Sequence, residues 1–419
     1  MKRFLVIMLC ALCVIGFATA GGAKDSSSKD GGLHGSLTVA TNASSPTFDA
    51  VEHIVELFME ENPGVDVEYT TYGSDYENLM KARMAANDLP DVFATHGWAV
   101  NRYAEYLMPL NDLELSTRIA PAVIDTVTTD DGSIVAMPVT MEQSGMIYNK
   151  AILKEAGWDH VPRTIDEFFQ CCEDVKALGV TPVYITGKDT RNQANLMDIM
   201  AVSILITCND AGDNAEALYN GTFDWSKWAP VSSLITELRD RGLLNVDATT
   251  ADPIYTQEKL AFGEAMFNFN NQAMITSAWE LNPEADLSMM PVPGLHEDDE
   301  QIWIGGEREC YGIWKDTPNK ELAIAFLEFM ARPENVKYVC DTAGMPAGFI
   351  DIDSEQKLSE DYAAFADLKI YPYFDREWLP SGMWATMRTI GGALTAGEMS
   401  VEESCNTMRD SYLSLMAQQ

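Results

Sequence analysis

The alternation of strand, helix and strand patterns over residues 36–69 leaves this chain very few architectures. Residues 36–41 read as a strand, and Phe48, Val51, Ile54, Val55 and Phe58 then recur at the spacing of one helix face. Asn62, Pro63 and Gly64 stop that helix. Residues 65–69 alternate as a half-buried strand does. A strand, a helix and a second, parallel strand imply a right-handed crossover, and so an α/β sheet with helices on its faces. The loop through Asn42 and Pro46 then sits at the carboxyl end of the sheet, where open α/β sheets bind ligands.

The unit repeats. Residues 91–94 form a short strand, followed by a loop through His96, Gly97 and Trp98, and residues 134–138 form another. A strong helix runs from Thr164 to about Leu178 and ends at Gly179, and residues 183–185 are again a strand. The second half is richer in helix. Leu322, Phe326, Phe329 and Met330 mark one helix that stops near Pro333, and residues 401–416 make the last. A chain of 419 residues is too long for one ordinary core and divides into two lobes.

The first twenty residues are a targeting segment. Lys2 and Arg3 are positive, residues 4–17 are apolar but short for a membrane span, and Ala18, Thr19 and Ala20 supply a signal-peptidase site. Residues 21–34 hold little to bury and read as a flexible leader. Gly22 stands where a lipid-bearing Cys is expected, and Cys10 and Cys13 lie inside the apolar stretch, so a free, cleaved, exported protein is predicted. Six cysteines remain beyond the signal, without CxxC spacing, and read as buried thiols. The formal charge of −36 excludes nucleic acid and anionic membrane surfaces as partners.

Catalytic and metal signatures are missing. There is no GxGxxG after a strand, no GxxxxGK[ST], no GxSxG and no HExxH, and the five histidines are scattered singly. No cofactor and no metal site is implied; the run 297–300 lacks the spacing of a calcium loop. What stands out is tryptophan. Trp98, Trp279, Trp303 and Trp384 sit in loop-like contexts beside polar residues, whereas Trp225, Trp228 and Trp314 read as structural. Sugar rings stack C–H patches on aromatic faces and need charged or amide partners for their hydroxyls, so such residues in a cleft fit a carbohydrate.

Motifs in order along the chain resemble the extracellular solute-binding proteins of carbohydrate ABC importers, a family that includes the maltose-binding type. The likeness runs through Asn62-Pro63-Gly64, Leu89-Pro90-Asp91, Met137-Pro138, and Tyr148-Asn149-Lys150 with Ala156-Gly157 and Pro162-Arg163-Thr164. It continues through Ala273-Met274 to Trp279, Pro291-Val292-Pro293-Gly294, Gly305-Gly306, Pro333-Glu334 and Gly344-Met345-Pro346. The resemblance implies a type II periplasmic-binding fold of two α/β lobes joined by crossing strands, with ligand held between them. On its pattern the crossings fall near Val139-Thr140, Asn282 and Trp314. Residues 35–140 and 283–314 would form lobe 1, and residues 141–282 and 315–419 lobe 2. It also implies that Glu142 holds sugar hydroxyls, that Trp279 and Trp384 stack on rings, and that Trp98 and the loop 186–189 with Asp189 face ligand. Glu307, after two glycines, and Trp303 complete the expected site. The family motif before Trp279 departs here to Asn270-Asn271-Gln272.

These readings describe a non-enzymatic, monomeric receptor, working in the periplasm or on the outer face of the cytoplasmic membrane. It closes on a sugar or oligosaccharide and hands it to transmembrane permease subunits. A polyamine or other cation on the same fold is the alternative, because acidic and aromatic groups suit ammonium ions too. An exported glycoside hydrolase is the rival from another class.

Overall fold

The computed structural model describes residues 32–352 and 357–417. The signal segment, and the leader up to residue 31, lie outside the described residues. The strands in chain order are β1 (His34–Thr41), β2 (Gly64–Thr71), β3 (Val92–Ala94), β4 (Met137–Pro138), β5 (Met141–Ser144) and β6 (Met146–Asn149). They continue with β7 (Thr181–Val183), β8 (Ala265–Asn268), β9 (Leu287–Met290), β10 (Trp303–Glu307), β11 (Cys310–Ile313) and β12 (Ile370–Tyr371).

The opening unit forms as its pattern requires. β1 and β2 pair in parallel over their whole length, His34 opposite Gly64 through Thr41 opposite Thr71. The helix Thr47–Glu61 between them buries Val51, Ile54, Val55 and Phe58. These apolar side chains lie at three- and four-residue steps, so they share one face and cover the sheet. The sheet continues in the order β2-β1-β3-β11-β4. The sheet of the other lobe runs β7-β8-β6-β9.

Among the described residues, two large cores and one small one hold these sheets. The first core contains Leu37, Phe58 and Phe93, and also Tyr311, Phe326 and Val339. The second contains Phe168, Met197, Trp228, Phe267, Met290, Ile304 and Met408. The packing moves two expected lobe boundaries. Residues 283–307 do not return to the first lobe, because β9 pairs with β6 and its Leu287, Met289 and Met290 are buried among second-lobe side chains. Residues 315–349 belong to the first lobe instead of the second. The helices Lys320–Met330 and Pro333–Ala343 bury Phe326, Phe329 and Val336 in its core.

The hinge shows why. Three backbone segments cross together: Thr140 N–H donates to the Glu309 carbonyl (3.2 Å), Arg308 N–H to the Thr140 carbonyl (3.0 Å), and Met141 N–H to the Pro346 carbonyl (2.8 Å). The first crossing is thus at 139–141. The others are at 308–309 and 346–348, not near Asn282 and Trp314. Cys171, Cys172, Cys208, Cys310, Cys340 and Cys405 are all buried free thiols, as their spacing predicted.

Candidate functional site

A cleft of about 540 Å³ opens between the lobes. That volume lies within the range of ligand pockets, about 300–1,000 Å³. The first lobe reaches it through one loop. After β3 the chain turns at His96 (φ +47°) and Gly97 (φ +84°), which aims His96 and Trp98 outward. Glycine suits this position because a φ of +84° is one that other residues rarely adopt, and a Cβ there would also crowd the Arg376 side chain of the other lobe. Arg102 follows one turn after Trp98, with its guanidinium 4.2 Å from the Trp98 ring centroid and 3.1 Å from Glu77. Arg376 lies 5.5 Å from the same ring.

The hinge ribbon supplies the floor. β5 and β10 pair antiparallel, with Gly306 opposite Glu142 and Glu307 opposite Met141. Side chains alternate along a strand, so Glu142 and Ser144 share the face that lines the cleft. Glu142 is only 2% exposed, and its Oε2 lies 3.8 Å from Arg308 without a hydrogen-bond partner. Arg308 also donates to Nε2 of His96 at 3.1 Å, which leaves that nitrogen unprotonated. Burial, then the charges of Arg308 and Arg376, hold the imidazole well below the usual histidine range.

The second lobe contributes a helix face and two loops. Arg191, Asn195, Asp198 and Ile199 recur along the helix Arg191–Val202 at four- and three-residue steps and point into the cleft together. Asp198 is fully buried; its Oδ1 accepts from the Asp375 N–H at 2.8 Å, and its Oδ2 has no partner. Burial, reinforced by Asp375, pushes its carboxyl well above the ordinary range. Asn270 and Asn271 line the wall after β8. The segment from Tyr373 to Trp384 closes the far side, with the Arg376 guanidinium 4.5 Å from the Tyr373 ring centroid. Trp384 stands in the first turn of the helix Met383–Ala396 and is partly exposed.

Of the expected site residues, Trp98, Glu142 and Trp384 line this cleft. Four others do not. Trp303 is fully buried, edge-on to Tyr362 and Phe365, and donates from Nε1 to the Phe365 carbonyl. Glu307 is 2% exposed beside Thr126, and burial pushes its carboxyl up to about 7. Both follow from the pleat: residues 303, 305 and 307 point to one face of β10 while Gly306 opposes Glu142. Trp279 lines a separate groove with Gly344 and Lys357; its Nε1 donates to the Ala285 carbonyl at 2.9 Å, and Lys357 Nζ lies 4.5 Å above its ring. Asp189 grips Arg191 at 2.6 Å and Arg388 at 2.8 Å, so it orients a cleft arginine without facing the cleft. Burial opposes its charge, yet the hydrogen bonds from Arg191 hold its carboxyl below the ordinary range.

The match to known proteins agrees with this geometry. The model for the bacterial extracellular solute-binding proteins covers residues 42–337. The chain belongs to that family. This solute-binding protein is 31% identical to the melibiose/raffinose/stachyose-binding protein MelE of Bacillus subtilis, over all of this chain and 98% of that one. It is 34% identical to a Bacillus licheniformis sugar transporter solved in complex with stachyose, with a TM-score of 0.81 over 91% of this chain and 100% of the other. A binding protein from Bacillus subtilis solved in an open conformation matches at 32% identity and a TM-score of 0.89, over 92% of this chain and 98% of that one. Solute-binding proteins of this family are non-catalytic, extracytoplasmic receptors that deliver a sugar or oligosaccharide to an ABC permease. Membership holds at that level, and the maltose-binding type is not specifically supported.

Sequence reasoning missed His96, Arg102, Arg191, Asp198, Arg308 and Arg376 in the cleft. One signal was available for the helix. Arg191, Asn195 and Asp198 form a polar line on a helix whose other faces are buried. In the sequence, Asn270 and Asn271 stand out only as departures from a family motif.

Proposed function

We propose that this protein captures an oligosaccharide of the melibiose, raffinose and stachyose kind in its interlobe cleft and delivers it, as a monomer, to a permease. The observation that carries the reading is the balance of charge in the cleft. Arg102 sits against Glu77, Arg308 against Glu142 and Arg191 against Asp189, beside Trp98, Tyr373 and Trp384. Paired ions offer fixed donors and acceptors to hydroxyls, and the aromatic faces take the C–H patches. The same balance weighs against a polyamine, since the four guanidinium groups of Arg102, Arg191, Arg308 and Arg376 match the carboxyl groups of Glu77, Glu142, Asp198 and Asp375 and leave no excess of acid for a polycation. The oligosaccharides named for two sugar-binding relatives, MelE and the stachyose complex, support the ligand class.

Ligand touching both lobes favours the closed population, and permease docking then reads the closed shape. Calorimetric titration with melibiose, raffinose, stachyose, maltose and spermidine tests the ligand. The first three should bind and be recovered intact by chromatography. Tighter binding of maltose or spermidine than of all three would overturn the reading.

A further inference from the structure

The cleft does not end at Trp98. A second cavity of about 730 Å³ adjoins it, and the two share Trp98, Arg102, Arg376, Pro380 and Ser381 as a common wall. This cavity also spans both lobes. Lys81, Asn101, Glu105 and Tyr106 come from the first lobe, and Tyr219, Glu377 and Trp378 from the second. Its lining has the same mixed chemistry as the cleft, with aromatic faces beside amide, carboxylate and ammonium groups. Tyr219, the last residue of the helix Asn214–Tyr219, is 55% exposed. Its hydroxyl donates to Oε1 of Glu377, while Asn101 of the opposite lobe donates to Oε2 at 2.5 Å. Glu377 is thus fixed between the lobes, which holds the Tyr219 ring at the cavity wall.

We propose that this second cavity is a subsite for the far units of an oligosaccharide whose other end lies in the main cleft. The inference rests on the oligosaccharide reading above and adds chain-length preference to it. Adjacency to the cleft names the occupant: both cavities are lined by Trp98, Arg102, Arg376, Pro380 and Ser381, so a chain extending past Trp98 meets this space next. Because the cavity is built from both lobes, units held there also favour closure, so longer chains should gain affinity beyond what the cleft alone supplies.

The test is titration of the full chain and its variants with melibiose, raffinose and stachyose, with melting of the unliganded proteins as a control. Melibiose or raffinose binding by the parent checks the underlying reading; if no sugar binds, that reading falls and the subsite with it. Stachyose should bind the parent more tightly than melibiose. Tyr219→Ala should weaken stachyose about tenfold, the loss of one stacking contact, while melibiose stays within about twofold. Lys81→Ala should repeat that pattern more weakly. Tyr219→Phe keeps the ring and should retain most stachyose affinity. Equal losses for all three sugars in Tyr219→Ala, no loss at all, or a Tyr219→Phe defect as large as that of Tyr219→Ala would overturn the subsite while leaving sugar binding in the cleft intact.

Discussion

Trp98 and Trp384 face the interlobe cleft, whereas Trp303 and Trp279 pack toward the second-lobe sheet, although all four sit beside polar residues in the sequence. The difference lies in what surrounds each ring in space. Trp98 follows a strand at the open end of a sheet, and Trp384 begins a helix whose N-terminus meets the cleft. Trp303 lies within β10, on the face away from Glu142, where Tyr362 and Phe365 cover it. A polar neighbour along the chain says little about burial when the strand pleat sends it to the opposite face. Glu142 and Glu307 repeat the lesson on the same ribbon, one in the cleft and one enclosed.

The strongest test of this split is Trp303→Ala. A fully buried ring removed from a packed core should cost about 3–5 kcal/mol of folding stability, read by urea denaturation of the unliganded protein. A loss below about 1 kcal/mol would return Trp303 to the surface.

Glu307→Gln comes next. Burial raises the parent carboxyl from its ordinary value to about 7, so the folded state holds the proton more tightly than the unfolded chain does. That contribution is complete below the unfolded pKa of about 4.5 and is lost as pH rises through about 7. Relative to the variant, the parent should therefore lose up to about 3 kcal/mol between pH 4.5 and pH 8, with the side chain neutral in the variant throughout. Denaturation curves of both proteins at the two pH values give the difference. Parallel pH dependence would place Glu307 in water.

Trp384→Ala should act on binding. Loss of its ring should weaken raffinose or stachyose by about 1–2 kcal/mol while unliganded melting barely changes. An early-melting variant with unaltered sugar affinity would move Trp384 to the core side of the comparison. The smallest effect belongs to Trp279→Ala, whose sugar affinity should stay within about twofold of the parent, since its groove holds Lys357 and Gly344 and shares no residue with the cleft. A loss as large as that of Trp384→Ala would join the two grooves into one site.

Local pattern carried much of the fold. The helix expected from Thr164 to about Leu178 forms as Ile165–Ala177, capped by the Thr164 side chain accepting from the Glu167 N–H. The terminal helix forms at Val401–Met416 with a Ser400–Glu403 capping box. These elements were legible because helix faces and caps depend on residues three or four apart. The lobe boundaries were not, because they depend on which core receives a segment. β9 joins the second lobe through pairing with β6, more than a hundred residues earlier, and nothing within Leu287–Met290 encodes that partner.

The sequence by itself determined an α/β chain, its helix limits, its buried thiols, and a family whose members bind sugars for import. Resemblance to that family also singled out Trp98, Glu142 and Trp384, which the structure brings to the cleft. Only the tertiary structure decided that Arg308 reaches both Glu142 and His96, that Asp198 ends with one oxygen unpartnered in the cleft, and that Arg376 crosses to the Gly97 turn. Each joins segments from different parts of the chain. The physical reason is that ion pairing and stacking act through a few ångströms of space, and a sequence fixes such distances only through the packing of everything between.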